Sequence, residues 1–250
     1  MIKIAFFDID NTIYCTKSNR LVEYSIKAIK ELQNKGVLCF ICTSRTRAEM
    51  QPLFYDVGFD GYIFCDGSQI IIDEIEVFHQ VFSLQQMEEL IKIFANKNYN
   101  PVYVSDDMYT FDDHIEEVAL KYLNDNNLIY QIKKLTSNDK IEKIDFFYPI
   151  NFTLPDGLVW YAYRNDYYNI RQKSVDKGSG VIFVCQYLNI SLDDAICFGD
   201  SINDLSMFKI IKNNYCLNNG CEELKKQASH IIGDVDSDTI YQLCRNNKWI

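Results

Sequence analysis

The chain has 250 residues, of which 48% are hydrophobic, and carries a formal net charge of -10 at pH 7. This length and hydrophobic content suffice for one sizeable core, which disfavours an intrinsically disordered protein. The 35 Asp and Glu against 25 Lys and Arg repel polyphosphate backbones and anionic lipids. We therefore expect neither nucleic acid nor a membrane as the main partner, and a phosphorylated substrate would need a local positive charge such as a metal ion.

The first residues and the cysteines favour a cytoplasmic protein. The opening run, MIKIAFFDID, turns acidic at position 8 and is too short for a signal peptide, and no other run approaches the roughly 18 apolar residues of a membrane span. The nine cysteines are scattered through apolar segments, which is typical of reduced thiols. Cys39 and Cys42 form a CxxC, but their apolar run predicts a buried strand that directs the two thiols to opposite faces, unlike a zinc or redox site.

Strands and helices alternate in the first part of the chain. The predicted elements are strands at 3–9, 37–45 and 62–65 and helices at 23–35 and 48–55. From about residue 80 the pattern becomes that of an α+β insert. Its predicted elements are helices at 84–97 and 114–124 and strands near 101–104, 108–111, 144–150 and 158–164.

After Asp176 the first alternation resumes. The predicted elements are helices at 177–188, 203–210 and 238–246 and strands at 195–199 and 215–218. The sequence thus predicts an α/β protein with a Rossmann-like parallel sheet flanked by helices, formed by residues 1–80 and 173–250. An α+β domain at 81–172 interrupts this sheet domain and joins it through short hinges.

Polar side chains follow three of the predicted strands of the sheet domain. Asp8 and Asp10 end the first strand, Thr43 follows the second, and Asp200 follows the strand at 195–199. Ligands of parallel sheets bind beyond the carboxyl ends of the strands. We therefore expect these separate segments to converge on one site.

The pair Asp8 and Asp10 predicts a site for a hard cation. Because the two residues are two apart at the end of a strand, their side chains emerge on the same side and can share one ion. They could also simply terminate the strand. A calcium loop, which begins in a similar way, is disfavoured because Ile13 and Asn19 occupy the positions that need Gly and Glu.

A second acidic cluster, at residues 199–204, follows an apolar strand and opens a helix. An ordinary N-cap would explain one of its acids. Asp200, Asn203 and Asp204 together suit a magnesium site, and magnesium would neutralise the phosphate oxygens that an acidic protein otherwise repels.

Thr43 and Lys177 lie between the two acidic clusters along the chain. The Thr43 hydroxyl and the Lys177 ammonium could both hold a phosphoryl group. Alone, each residue is weak evidence, since a threonine at a strand end is usually a local cap and a lysine is usually solvated. We expect Lys177 to be an exposed residue at the start of a helix.

Four segments together resemble the motifs of the haloacid-dehalogenase-like hydrolases in their order and spacing. They are Asp8-Ile9-Asp10-Asn11-Thr12, Thr43, Lys177 and Gly199-Asp200-x-x-Asn203-Asp204. The insert falls between the second and third segments, as does the α+β cap of the Cof-type sugar-phosphatase branch. The resemblance implies a magnesium-dependent phosphatase that hydrolyses a small phosphomonoester, such as a sugar phosphate, through an aspartyl-phosphate.

The resemblance also implies roles for the acidic residues. Asp8 would attack phosphorus, and Asp10 would protonate the leaving alcohol and then activate the hydrolytic water. Asp8, Asp200 and the backbone carbonyl of Asp10 would bind magnesium, with Asp204 in support.

The remaining motif residues would bind the transferring phosphoryl group. Thr43 and Lys177 would hold its oxygens, and Asn203 would lie near the metal or the phosphate.

Two departures from the family pattern bear on substrate preference. The chain has Ser44 where relatives often have glycine, and Asp66 where they commonly have asparagine. The insert at 81–172 carries 14 Asp and Glu against 9 Lys and Arg, a net charge of -5, which disfavours a second phosphate on the substrate. We expect the insert to act as a lid that favours small phosphorylated metabolites.

Two other functions stay open at this point. A phosphomutase would use the same covalent intermediate but return the phosphate to a sugar. A non-catalytic regulatory protein that binds a phosphorylated metabolite would keep the fold without turnover, although an intact set of motif residues argues against it.

Overall fold

The computed structural model of the chain describes residues 2–149, 151–162 and 167–250. The chain divides into two compact units. The first comprises Met1–Ser44, Gln51–Phe78 and Val175–Ile250, and the second comprises Arg45–Met50 and His79–Ser174. The chain therefore passes between the units at four places. The sequence predicts only two of them, near residues 80 and 172, and gives no sign that Arg45–Met50 packs with the second unit.

The first stretch of the chain contains most of the predicted elements. They are β1 Ile4–Phe7, β2 Tyr14–Cys15, β3 Arg20–Leu21, α1 Glu23–Asn34, β4 Leu38–Cys42, α2 Pro52–Tyr55, β5 Gly61–Phe64, β6 Gln69–Ile72 and β7 Ile75–His79. The helix predicted at 48–55 is confirmed only over Pro52–Tyr55, because Met50 and Gln51 are extended and separate a short 3-10 turn at Arg47–Glu49 from α2. Pro52 favours this break because proline fits the first turn of a helix but not its interior.

The remaining elements follow in chain order. Those of the second unit are α3 Leu84–Lys97, β8 Val102–Val104, β9 Tyr109–Phe111, α4 Glu117–Asp125, β10 Tyr130–Ile132, β11 Lys143–Phe146, β12 Leu158–Ala162 and β13 Tyr168–Gln172. The first unit is completed by α5 Lys177–Tyr187, β14 Ala195–Gly199, α6 Leu205–Ile210, β15 Asn213–Leu217, α7 Glu222–Lys225, β16 His230–Ile232 and α8 Thr239–Asn246. Ile150 and residues 163–166 lie outside the described residues, so the ends of the strands predicted at 144–150 and 158–164 stay predictions.

The first unit is built on an eight-stranded sheet with the order β16-β15-β14-β1-β4-β5-β6-β7. The strands from β16 to β5 pair in parallel, which confirms the α/β prediction. At the other edge β6 pairs with β5 in an antiparallel sense, because the turn at Cys65–Gly67 is too short for a parallel crossover. The central strands β1 and β14 are buried along their whole length, as their continuous apolar runs predict.

Helices cover both faces of this sheet, and the two cysteines of the CxxC show the two sides. The Cys39 thiol lies 3.8 Å from the Ile29 carbonyl of α1, whereas the Cys42 thiol lies 4.0 Å from the Lys177 carbonyl of α5. Both side chains are fully buried, and burial raises the pKa of both thiols, which disfavours the reactive thiolate. The prediction of buried strand cysteines is confirmed.

The second unit contains a six-stranded sheet with the order β10-β9-β8-β11-β13-β12. Its pairings are antiparallel except for that of β10 with β9, which are connected through α4. One apolar cluster includes side chains of α3 and of β11 and β13: Met87, Leu90, Phe94, Ile144, Phe146 and Ile170. Another includes side chains of α4, β8 and β9: Ala119, Leu123, Val102, Val104, Tyr109 and Phe111. The unit thus has the α+β composition that the sequence predicts.

Within the described part of the chain, no helix combines the length and the apolar character that crossing a bilayer requires.

Candidate active site

Three of the candidate residues follow directly on three neighbouring strands. Asp8 comes after β1, Thr43 after β4 and Asp200 after β14. β1 lies between β4 and β14, and its last residue, Phe7, pairs with Ile41 and with Phe198. The parallel pairing therefore brings the three polar residues together at one edge of the sheet.

Lys177 joins this group from the first turn of α5. Its ammonium donates hydrogen bonds to Asp8 Oδ1 and to Asp204 Oδ1, each at 2.6 Å. The prediction that Lys177 is exposed is wrong, since its side chain is 0% exposed. Two carboxylates offset the cost of burying the ammonium. Burial alone would lower the pKa of Lys177, but the carboxylates of Asp204 and Asp8 raise it above its ordinary value.

Two glycines allow the elements around Lys177 to approach closely. A Cβ atom on Gly178 would lie 2.6 Å from the Ser206 carbonyl oxygen, so a side chain there would push α5 away from α6. A Cβ atom on Gly199 would lie 2.6 Å from Asp204 Oδ2. Both contacts are too short for any other residue, and both involve the segments that position the Lys177 and Asp204 side chains.

Asp204 links the acidic loop to Lys177. Its Oδ2 accepts the backbone N–H groups of Asp200 at 3.0 Å and Ser201 at 2.9 Å, while its Oδ1 accepts the Lys177 ammonium. The carboxylate is thus fully buried and fixes the start of the loop that carries Asp200.

Asp8, Asp200 and Asp204 form a carboxylate cluster in which one oxygen of each lies within 4.8 Å of the others. Burial, with the neighbouring Asp204 carboxylate, raises the pKa of Asp8 well above its ordinary value and that of Asp200 to about 7. Lys177 opposes both shifts. A divalent cation would favour the ionised forms, and an all-oxygen set of this kind suits magnesium. The residues present therefore fit the ion that the resemblance implies.

Asp10 lies in the tight loop after β1 and is only partly buried. Its backbone forms an isolated bridge with Tyr14, and the Asn11 N–H donates to the Tyr14 carbonyl at 2.7 Å. Among the described residues, the carboxylate cluster contains Asp204 rather than the Asp10 side chain. A role for Asp10 in metal binding through its backbone carbonyl stays a prediction.

Thr43 is fully buried, and its backbone is fixed on both sides. Its N–H donates to the Ile63 carbonyl and its carbonyl accepts the Asp66 N–H, each at 2.9 Å. Asn203 is held by the same turn, because its amide Nδ2 donates to Asp66 Oδ1 at 3.0 Å. Asp66 thus binds a motif residue directly, with its own backbone in the left-handed region at a φ of 51°.

Sequence reasoning notes Asp66 only as a departure from the family pattern. The available signal was its place after a predicted core strand, where parallel sheets bind ligands. The sequence also gives no separate role to Thr12, whose hydroxyl donates a hydrogen bond to Asp8 Oδ2 at 3.3 Å.

Comparisons with known proteins identify the family of the chain. Residues 5–243 match the family described as haloacid dehalogenase-like hydrolase. The Bacillus subtilis protein YkrA is 26% identical over 251 residues, which cover 95% of each chain. A phosphoglycolate phosphatase of Picrophilus torridus is 22% identical over 98% of this chain and 92% of its own.

Among solved structures, the subclass IIB sugar phosphatase BT4131 has the same fold, with a TM-score of 0.83 and 20% sequence identity over 99% of this chain and 100% of its own. The enzyme class predicted from the sequence, a phosphoric monoester hydrolase, is confirmed. The chain belongs to the haloacid-dehalogenase-like hydrolases, in the Cof-type branch whose α+β cap interrupts the sheet domain.

Proposed function

We propose that this phosphatase hydrolyses small phosphomonoesters in a magnesium-dependent reaction, through a transient acyl phosphate on the Asp8 carboxylate. One observation carries the proposal. The buried Asp8 carboxylate contacts the Lys177 ammonium at 2.6 Å and lies in one cluster with the carboxylates of Asp200 and Asp204. Groups suited to act as nucleophile, phosphoryl-binding cation and metal ligands thus come from three separate segments of the chain.

Asp8 is suited to nucleophilic attack because both of its oxygens are oriented by neighbours, Oδ1 by Lys177 and Oδ2 by Thr12. An Asp8 oxygen forms a bond to phosphorus while the bond between phosphorus and the ester oxygen breaks. Asp10 donates a proton to the departing alcohol. A water molecule then loses a proton to Asp10 and attacks the same phosphorus, which releases phosphate and regenerates Asp8.

The other motif residues stabilise the charge on the transferring group. Thr43 and Lys177 would hold its oxygens, and Asn203, which is fixed by Asp66, would lie close by. Asp8, Asp200 and the Asp10 carbonyl would hold magnesium, with Asp204 in support. When bound, the ion would neutralise both the carboxylate cluster and the phosphoryl oxygens.

We expect phosphate release to stop in excess chelator and to return when magnesium is added, while calcium should not support turnover. Calcium takes more ligands at longer distances than magnesium and would disturb the in-line arrangement.

Asp200→Asn should raise the magnesium concentration for half-maximal rate by at least about tenfold, the scale of losing a group that supports a metal. Asp193→Asn is the matched control, because this exposed residue lies shortly before the same strand and its carboxylate pairs with the exposed Lys212 ammonium. Full activity in chelator would contradict metal dependence.

The phosphomutase alternative shares every step up to the phosphorylated Asp8. The two functions differ in the acceptor, which is water in a phosphatase and a sugar in a mutase. Incubation with a labelled sugar monophosphate should yield free phosphate without a bisphosphate intermediate. A regulatory protein would bind the sugar phosphate and release no phosphate at all.

We propose that the natural substrate is a sugar phosphate or a similar small metabolite. Similarity to a sugar phosphatase and the net charge of -5 at residues 81–172 support this class. We expect kcat/KM for sugar monophosphates to exceed that for bisphosphates and for a folded phosphoprotein by at least about tenfold, because like charges and bulk oppose binding. p-Nitrophenyl phosphate reports the intrinsic rate of the site. Equal kcat/KM for the phosphoprotein and the best metabolite would contradict the proposed class.

A further inference from the structure

The segment Arg45–Met50 begins two residues after Thr43 and packs with the second unit. Ala48 contacts the apolar cluster that contains Val104 and Tyr109. The Arg45 guanidinium donates to the Glu49 carbonyl at 3.2 Å and thereby closes the segment on itself. Contacts that hold Arg45–Met50 therefore also restrain the chain that directly follows Thr43.

Glu49 attaches the segment to the six-stranded sheet. Its Oε1 accepts the Tyr109 hydroxyl at 2.6 Å and the Lys143 ammonium at 3.2 Å. Its Oε2 accepts the Thr46 N–H at 2.6 Å, so one side chain both shapes the turn and binds it to β9 and β11. The Lys143 side chain is 3% exposed and that of Glu49 is 11% exposed, which places the ion pair out of bulk water.

Both partners of this pair are charged at neutral pH. Burial would raise the pKa of Glu49, but Lys143 and the Tyr109 hydroxyl lower it to about 2. Burial would lower the pKa of Lys143, but Asp145, 3.4 Å away, and Glu49 raise it. Apolar replacements of buried ion pairs are often neutral or stabilising, so the hydrogen-bond geometry of Glu49 and Lys143, rather than a gain in stability, carries the argument.

Glu142, the neighbour of Lys143, contacts the other chain segment that leads into the second unit, which begins at His79. Glu142 Oε1 lies 2.5 Å from Nε2 of His79, the first residue of the unit after Phe78. Glu142 immediately precedes Lys143, the first residue of β11. One short stretch of the sheet therefore holds both chain segments that lead from the first unit into the second.

We propose that Glu49 and Lys143 are positioning residues that make Arg45–Met50 an integral part of the second unit and thereby fix Thr43 for contact with the transferring phosphoryl group. The inference rests on the proposed function, in which the Thr43 hydroxyl binds that group. Arg45–Met50 is joined to Thr43 along the chain through Ser44. Lys143 would act on the chemistry without touching the substrate.

The test measures kcat and KM of Lys143→Met and Glu49→Gln with p-nitrophenyl phosphate and with a sugar monophosphate. We expect kcat to fall by about tenfold or more while KM changes by less than about threefold, because the lost interaction belongs to the transition state. The loss should be the same for both substrates, since Thr43 contacts the phosphoryl group that they share. Tyr109→Phe removes one hydrogen bond to Glu49 and no charged group, so it should lower kcat by a smaller factor with KM again little changed. This variant replaces Lys143→Met in the test if Lys143→Met does not fold.

Coupling to Thr43 is tested by combining each change with Thr43→Val. If Lys143 acts through the Thr43 hydroxyl, Lys143→Met should lower kcat by less than about twofold in the Thr43→Val background. Leu90→Ala is the matched control, because it opens a cavity in the α3 cluster of the same unit and leaves Arg45–Met50 untouched. It should lower the melting temperature and leave kcat within about twofold of the wild type.

Hydrogen exchange gives a readout that does not depend on turnover. Amides of residues 45–50 should exchange faster in Lys143→Met and at the wild-type rate in Leu90→Ala. Additive losses in the Thr43→Val background, or unchanged exchange at residues 45–50, would overturn the inference. An inactive wild-type enzyme would instead overturn the proposed function, so the two failures are distinguishable.

Discussion

Asp8→Asn should lower turnover by more than about a thousandfold, the scale of removing a covalent nucleophile. An amide has almost the shape of the carboxylate but neither attacks phosphorus nor balances the charge of a metal ion. The fold should be kept, because Lys177 retains its 2.6 Å contact with Asp204 and the cluster loses one of its mutually repelling carboxylates. Phosphate release, measured beside thermal unfolding, separates the two effects.

A second measurement tests the covalent intermediate directly. Acid quenching of the wild type with labelled substrate should trap label on the protein, and the same experiment on Asp8→Asn should trap none. Asp60→Asn is the control, since Asp60 precedes β5 at the opposite end of the strands and accepts the Cys39 N–H. It should keep turnover within about threefold of the wild type. Turnover of Asp8→Asn within tenfold of the wild type would show that Asp8 is not the nucleophile.

Local signals in the sequence were sufficient for the long elements. Helix α3 spans residues 84–97 and strand β14 spans residues 195–199, with the predicted bounds in both cases. Ser83 and Gln86 form a capping box that starts α3, and Gly199 marks the close approach of Asp204 at the end of β14. Where a cap, a glycine and hydrophobic periodicity agree, the element can be located from sequence alone.

Short elements and chain crossings were not predictable in this way. β10 has three residues, all exposed, and β6 follows a turn with a positive φ at Cys65 and Asp66, which is unusual for a cysteine. The packing of Arg45–Met50 with the second unit depends on the contact of Glu49 with Lys143, which is 94 residues away. The sequence around Glu49 contains neither Lys143 nor the strand β11 that carries it.

The candidate site shows the same division between residue type and environment. The motif residues can be identified from sequence because their order and spacing are characteristic. The burial of Lys177 could not be predicted from sequence, because it depends on two carboxylates that contact the same ammonium. One belongs to Asp204 and the other to Asp8, which is 169 residues away. A lysine at a helix start is ordinarily solvated, and only the converging carboxylates reverse that expectation.

Burial changes the expected behaviour of variants at Lys177. An exposed lysine could be removed without loss of stability, but Lys177→Met would leave the buried carboxylates of Asp8 and Asp204 without their shared cation. Breaking a buried pair in this way costs about 3–5 kcal/mol, so the free energy of unfolding should fall by that amount. Turnover should fall by at least about a hundredfold, since the ammonium also stabilises the transferring phosphoryl group.

Two further variants separate the loss of stability from the loss of chemistry. Lys212→Met removes an exposed ammonium from Asp193 and should leave the melting temperature unchanged. Adding Asp204→Asn to Lys177→Met removes one of the uncompensated carboxylates and should recover part of the stability without recovering turnover. Denaturant unfolding, with phosphate release in parallel, checks both. If Lys177→Met unfolds at the wild-type denaturant concentration, Lys177 does not compensate the buried carboxylates in solution, and its effect on turnover would have to arise from the phosphoryl group alone.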